Sequence, residues 1–119
     1  MNKTLSLLGL ARRAGRLEAG FDACQKAARA GKAALLAAAG DISDKTYKNL
    51  CYEAQRAGIP AVRLTASIQE LGHACGVRAG IVAVNDMGFA GAVIKELEGP
   101  GTPVRPTDEN ARKKEEETL

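Results

Sequence analysis

The sequence predicts a single α/β domain in which helices cover both faces of a short sheet. Short apolar runs bounded by glycines alternate along the chain with amphipathic helical patterns. Hydrophobic residues make up 45% of the 119 residues, which is enough for one core. Aromatic residues make up only 3%. The core must therefore consist of small aliphatic side chains, which let packed layers approach closely.

Helix predictions rest on apolar residues at helical spacing and on residues that begin or end helices. Ser67 and Glu70 form a capping-box pattern, and Asn85 and Asp86 can cap a final helix. Glycines follow the first four helical patterns, where a C-terminal cap belongs. The predicted helices cover residues 2–14, 21–30, 43–57, 67–75 and the segment after 86.

Strands are predicted between these helices, at residues 17–19, 33–39, 61–64 and 79–84. The 33–39 run, AALLAAA, has no β-branched residue, but it is too short for an independent helix and lies between two glycines. From Gly99 onward, prolines and a run of charges replace the alternating pattern. We therefore expect a domain at 1–98 and a disordered Pro-rich, charged tail at 99–119.

The cysteines and the apolar runs indicate a cytoplasmic protein that does not bind membranes. Cys24, Cys51 and Cys75 are an odd set without a CxxC pair, and each falls on the apolar side of a predicted helix. A free thiol there behaves as a small hydrophobe, and a redox or catalytic thiol is the alternative. The N-terminal apolar run is short and precedes its basic residues, unlike a signal peptide. No apolar run approaches the roughly 20 residues of a membrane span.

Residues suited to catalysis are few. His73 and Cys75 lie two residues apart on a predicted helix, about 200° around its axis, so they do not form a nucleophile–base pair. The glycines form neither common phosphate-binding motif. Asp41, Asp44 and Asp86 lie at predicted helix starts, where carboxylates serve as caps. We expect no catalysis, no metal and no cofactor, and an enzyme is the least favoured alternative.

Positive charge is concentrated in the first third of the chain. Residues 1–32 contain seven lysines and arginines against two acidic residues, a net charge of +5, whereas the remainder has a net charge of −2. Such a distribution indicates a local surface for a polyanion. The alternative is a set of solvated helix faces.

Several segments together resemble one known family. The stretch GFDACQKAARAGKAALLAAAGD, which begins at Gly20, is the most specific, and LGLARRAGRLEAG, AGIP, QELGHACG and GIVAVNDMGFA extend the similarity over residues 3–97. The family is the kink-turn-binding ribosomal proteins (the L-seven-Ae and L-thirty-e superfamily), in particular its small bacterial YlxQ-type members. The resemblance implies an L-thirty-e-like three-layer α/β/α sandwich with a small central mixed sheet. It also implies a non-catalytic protein that binds kink-turn or similarly bent RNA in the translation machinery. We expect a monomer.

The resemblance also implies a set of RNA-binding residues. The binding helix of the family begins Gly-x-Asn-Glu-x-x-Lys, and a loop before the last strand covers a flipped-out nucleotide. Gly20 matches the glycine, Asp22 stands at the asparagine, Ala23 at the glutamate, and Lys26 matches the lysine. The expected site also contains Phe21, Arg29 and Lys32 from the same segment and Gly76, Val77, Arg78 and Ala79 from the loop.

Two positions depart from the family pattern. Asp22 lacks the amide donor of asparagine and adds a negative charge, and Ala23 cannot accept hydrogen bonds from guanine edges. Both changes weaken base recognition. Three alternatives follow: weak kink-turn binding, a preference for another bent RNA, or a protein-interaction module of the same fold that has lost RNA binding. The ribosome is a candidate partner in the first two.

Overall fold

The computed structural model describes residues 3–76 and 78–98, and within these ranges it contains five helices and a four-stranded sheet. The elements in chain order are α1 Lys3–Arg13, β1 Leu17–Ala19, α2 Phe21–Arg29, β2 Leu35–Ala38, α3 Asp44–Ala57, β3 Ala61–Arg63, α4 Ile68–Cys75, β4 Ile81–Val84 and α5 Met87–Glu98. None of the described helices is both long and apolar enough to cross a membrane. The predicted disorder of the 99–119 tail concerns residues outside the described ranges and stays a prediction.

The sheet is mixed, as the resemblance implied. Its strand order is β1-β4-β2-β3, with β4 antiparallel to both of its neighbours and β2 parallel to β3. Ala19 lies opposite Val82 in the first pair, and Leu36 lies opposite Ala83 in the second. All residues of β2 and β4 are buried, because these two central strands are covered by helices on both faces.

Alternation along the strands divides the core into two clusters and produces three layers. Strand residues facing α1, α4 and α5 are Leu35, Ala37, Val62, Val82 and Val84. Strand residues facing α2 and α3 are Leu36, Ala38, Ala61, Ile81 and Ala83. The predicted α/β/α sandwich is confirmed, with three helices on one face of the sheet and two on the other.

The two central strands are shorter than their sequence patterns predict. The 33–39 run forms a strand only over Leu35–Ala38, and the 79–84 run only over Ile81–Val84. The flanking backbone still bonds across the pair: the N–H of Ala34 donates to the Val84 carbonyl at 2.7 Å, and the N–H of Ala39 donates to the Gly80 carbonyl at 2.8 Å. The apolar pattern therefore predicts the hydrogen-bonded region correctly and overestimates only the length of the regular strands.

Most predicted helix starts have the expected caps. Ser67 and Glu70 form the reciprocal capping box at the start of α4, and Asp86 accepts a hydrogen bond from the N–H of Phe89 in α5 at 3.0 Å. Two of the three aspartates predicted as caps have other partners. Asp44 accepts from Arg63 at 3.0 Å while Ser43 caps α3, and Asp41 accepts from the N–H of Ile68 at 2.8 Å. Asp41 was expected to cap the helix that follows it in sequence, and it caps α4 instead because the loop after β2 lies beside that helix.

Helices α1 and α4 are in close contact at Gly9. A Cβ atom on Gly9 would lie 2.8 Å from the backbone carbonyl oxygen of Ala74, a contact that backbone cannot relieve by a rotamer change. A Cβ atom on Gly91 in α5 would have no such neighbour within 4 Å. Close packing therefore requires a glycine at position 9, whereas it does not require one at position 91.

We predict that Gly9→Ala lowers the free energy of unfolding by about 1–3 kcal/mol, because the methyl group forces α1 and α4 apart. Gly91→Ala is the control, and it should raise stability by about 0.5–1 kcal/mol through helix propensity alone. Urea unfolding followed by circular dichroism measures both. Equal effects of the two substitutions would contradict the close contact.

Candidate nucleic-acid interface

The end of β1 determines where α2 begins. The N–H of Gly20 donates to the carbonyl oxygen of Ile81 at 2.9 Å, which continues the β1–β4 pairing by one residue. Gly20 has φ +98° and ψ 148°, a conformation that favours glycine, and the chain turns there directly into the helix. The start of α2 consequently lies beside the start of β4, and the loop that contains Gly76, Arg78 and Ala79 leads into that strand.

Helix α2 begins without a side-chain cap. Its N-cap is Gly20, which has no side chain, and its first helical hydrogen bond joins the N–H of Cys24 to the Gly20 carbonyl at 3.0 Å. The amides of Phe21, Asp22 and Ala23 precede that bond and have no partner within the helix. By contrast, α3 begins at Ser43, whose hydroxyl accepts from the N–H of Thr46. The uncapped amides and the positive end of the helix dipole suit an anion at this end of α2.

The predicted site residues at this helix end have different exposures. Asp22 and Lys26 are exposed and lie one turn apart on the same side of α2, whereas Phe21 and Ala23 are half-buried. Phe21 packs against the core cluster beneath α2 and α3. Phe21 therefore anchors the helix start, and Lys26 presents the cation.

Arg29 is paired within the protein. Its Nε and Nη2 atoms donate to the two carboxylate oxygens of Glu53 in α3, both at 3.1 Å, and Gln25 donates to the same carboxylate at 2.8 Å. Glu53 is only 5% exposed. The hydrogen bond from Arg29 is the main reason why the pKa of Glu53 lies below its usual value, and it also raises the pKa of Arg29. Arg29, expected in the RNA-binding site, thus joins α2 to α3 together with Gln25.

Lys32 lies at the far end of α2 from Gly20. The nine residues of α2 span about 14 Å, and the N–H of Lys32 bonds back to the Ala27 carbonyl after the helix has ended. Ala34, two residues on, bonds to the last residue of β4, Val84. The structure therefore brings Lys26 to the uncapped helix end but does not bring Lys32 there.

The described part of the predicted loop lines a groove next to α4. Gly76, Arg78 and Ala79 contribute to a groove of about 780 Å³, together with Asp41, Ile68 and His73 among others. Arg78 is exposed and Ala79 is half-buried, while Val77 is outside the described residues. The contributions of Asp41 and Ile68 were missed at the sequence level, because only the folded chain brings the loop after β2 against α4.

Two of the three cysteines, Cys24 and Cys75, are buried and poor nucleophiles. Burial raises the pKa of the Cys24 thiol to about 12, and its Sγ donates a weak hydrogen bond to the Glu18 carbonyl at 3.8 Å. Burial also raises the pKa of Cys75, which is buried while His73 is exposed. Within residues 3–76 and 78–98, no group of three or more His, Cys, Asp or Glu side chains could hold a metal ion.

The fold and the uncapped helix end define a small three-layer α/β/α protein with an anion-suited edge beside its central strand. Residues 2–94 match the family described as the Ribosomal protein L7Ae/L30e/S12e/Gadd45 family. The chain belongs to this family. No curated protein matches the chain at a significant level.

Solved structures that share the fold include the following two. A protein of unknown function from Bacillus halodurans is 31% identical, with a TM-score of 0.76, and the match covers 82% of this chain and 99% of that one. A structure described as the Giardia lamblia 15.5kD RNA binding protein is 24% identical, with a TM-score of 0.64, and the match covers 75% of this chain and 80% of that one. The first match covers most of both chains, and the second is a similarity in fold alone.

We predict that the Glu53 pair makes stability depend on pH. Because the folded-state pKa of Glu53 is lowered, its carboxylate stabilises the protein above its ordinary pKa of 4.5, and this contribution is lost as the pH falls through the folded-state value. Wild-type protein should therefore have a higher free energy of unfolding than Glu53→Gln at neutral pH. This difference should shrink as the pH falls below 4.5 towards the folded-state pKa of Glu53. Chemical denaturation across an acidic pH series measures it.

Arg29→Met tests whether the arginine is responsible for this pH dependence. Without the guanidinium, burial favours the protonated form of Glu53, so acidification should no longer cost stability through this group. If the variant and the wild-type protein lost stability in parallel on acidification, the pair would not be the cause.

Proposed function

We propose that the protein binds kink-turn or similarly bent RNA through the uncapped start of α2 and the loop before β4. The observation that carries this proposal is the Gly20–Ile81 hydrogen bond, which holds the helix end and the loop at one edge of the sheet. The family assignment and the RNA-binding description of the Giardia fold relative support it. RNA proteins commonly recognise such noncanonical shapes and extruded bases.

Each part of this edge has a role in the proposed complex. The backbone amides of residues 21–23 and the Lys26 ammonium bind phosphates. These groups are hydrogen-bond donors, and the amides have no acceptor within α2. Arg78 adds a phosphate contact from the loop, and Ala79 offers apolar surface to an unstacked base. Arg29 fixes the position of α2 on α3, and Lys32 lies too far along the helix to contribute at this edge.

The same proposal covers the setting of the protein. It is non-catalytic, an inference supported by the family assignment and by the burial of the Cys24 and Cys75 thiols. It acts as a monomer in the cytoplasm, with structured RNA of the translation machinery as partner and the ribosome as the setting. RNA binding is tested first, because a role in translation depends on it.

Asp22 favours a second candidate, a protein-interaction module of the same fold. Its exposed carboxylate stands at the helix end that would receive RNA phosphates, and it repels them. A partner with a basic segment would suit this carboxylate better than RNA does. Absence of any RNA affinity at low salt, together with binding to a protein partner, would favour this second candidate.

We predict that Lys26→Ala weakens binding to a kink-turn RNA by roughly tenfold, because it removes a charged hydrogen bond to phosphate. The measurement is a titration against a labelled kink-turn and a straight duplex, at low and moderate salt. Lys95→Ala, an exposed lysine on α5 in the other helical layer, is the matched control and should leave binding unchanged. Equal binding of both RNAs by the wild-type protein would leave only a nonspecific basic surface.

We also predict that Ala23→Glu strengthens kink-turn binding by roughly tenfold, because the glutamate can accept hydrogen bonds from guanine edges. Ala30→Glu adds the same charge at the exposed far end of α2 and should not strengthen binding. Since added negative charge alone weakens RNA binding, a gain at position 23 requires a specific base contact. A loss in both variants would show that α2 does not meet the RNA in the family's orientation.

A further inference from the structure

A second basic feature lies between α2 and α3, away from the edge described above. Ala28, Arg29, Glu53, Arg56 and Ala57 line a groove of about 240 Å³, which we call the α2–α3 groove. Two guanidinium groups line it with one carboxylate. That carboxylate is already satisfied, because Arg29 and Gln25 together donate three hydrogen bonds to it. Arg56 therefore gives the groove a net positive charge.

An exposed aromatic ring adjoins this groove. Tyr52 is 56% exposed, and the guanidinium carbon of Arg56, one turn further along α3, lies 5.7 Å from its ring centroid. The other tyrosine of the chain, Tyr47, is half-buried, packs against the core and lies beneath Arg63 at 5.1 Å. Burial in the core accounts for Tyr47, whereas nothing in the described core accounts for Tyr52.

On α2 and α3, exposed cations outnumber the exposed carboxylates of Asp22 and Asp44. Lys45, Lys48 and Arg56 are exposed on the same face of α3 as Tyr52, at spacings of three and four residues, and Lys26 is exposed on α2. Asp44 at the start of α3 is paired with Arg63 at 3.0 Å. An aromatic ring interleaved with cations is the arrangement that proteins use to bind single-stranded nucleic acid.

We propose that this face is a second RNA contact, which takes an unpaired strand flanking the bent RNA. A base stacks on Tyr52, and the adjacent phosphate lies in the α2–α3 groove against Arg56, because the Nε and Nη2 donors of Arg29 are held by Glu53. Stacking needs only the π face of a base, so this contact does not depend on sequence, and arginine suits the phosphate because it donates in a fork. The inference rests on the proposed function for the identity of the RNA.

The geometry also connects the two contacts. Phe21 and Arg29 are the first and last residues of α2, about 12 Å apart along its axis. Lys26 lies between them on the exposed side of the helix. A strand leaving the uncapped helix end along α2 therefore passes a cation before it reaches the groove.

The test compares three RNAs: a blunt kink-turn, the same kink-turn with a single-stranded extension, and the single strand alone. Tyr52→Ala should weaken binding of the extended kink-turn by roughly tenfold and leave the blunt one unchanged. Tyr52→Phe keeps the ring and should retain wild-type affinity. Arg56→Gln should make the salt dependence for the extended RNA shallower by about 0.7 in log–log slope, the value of one phosphate contact. Arg13→Gln removes an exposed arginine from the other helical layer and is the charge control.

Tyrosine fluorescence gives an independent measurement. The chain has two tyrosines and no tryptophan, so Tyr47→Phe leaves Tyr52 as the only source of tyrosine fluorescence. After correction for RNA absorbance, the extended RNA should quench this fluorescence and the blunt kink-turn should not. The quenching should saturate at the same RNA concentration as the affinity titration.

The outcomes separate the two proposals. If Lys26→Ala weakens kink-turn binding while Tyr52→Ala and Tyr52 fluorescence respond to none of the three RNAs, the second contact is overturned and the proposed function stands. If the single strand binds through Tyr52 and kink-turns are not preferred, the proposed function fails and the second contact stands. Binding of poly-glutamate that is lost in Arg56→Gln, with no effect of Tyr52→Ala on RNA, would identify an acidic protein segment as the occupant and overturn the RNA contact.

Discussion

The pairing of β1 with β4 is the constraint on which the rest of the structure depends. Strand β1 has only three residues, yet its extension through Gly20 to Ile81 determines where α2 starts and what lies beside it. The register of this pair is not free to slip, because Val82 and Val84 face one core cluster while Ile81 and Ala83 face the other. A shift of one residue would reverse both sets. The geometry of the helix end is therefore fixed by the core.

The two helical layers are held together in different ways. Helices α1 and α4 meet through backbone contact, which is possible only because Gly9 has no side chain. Helices α2 and α3 are also joined by an ion pair in which the buried carboxylate of Glu53 is covered by Arg29. That pair affects the surface as well as stability, since it neutralises the one acidic group in the α2–α3 groove. The Arg29–Glu53 pair thus both joins α2 to α3 and leaves the charge of Arg56 unbalanced at the surface of this layer.

The sequence was sufficient for elements whose cause is local. Helical spacing, the Ser67–Glu70 capping box and the apolar run of β4 each depend on residues within one or two turns, and each was predicted. It was insufficient where the cause is a distant neighbour: Glu53 lies 24 residues from Arg29, and Ile68 lies 27 residues from Asp41. Helical periodicity shows that Arg29 lies on a polar face of α2, but only packing determines that α3 is next to that face. The limits of β2 were uncertain for a related reason, because alanine favours no strand boundary.

The altered residues at the start of α2 change the balance between affinity and selectivity in the proposed complex. Phosphate contacts from Lys26, Arg78 and the helix amides act on any RNA backbone and supply mainly affinity. Contacts to guanine edges supply selectivity, and Ala23 has no group to make them. In that complex, with the first set and without the second, the protein would select RNA by the shape of its backbone, which the helix end and the loop before β4 would contact together. A stacking contact at Tyr52 would add affinity by the same sequence-independent means, so the two features belong to one mode of recognition.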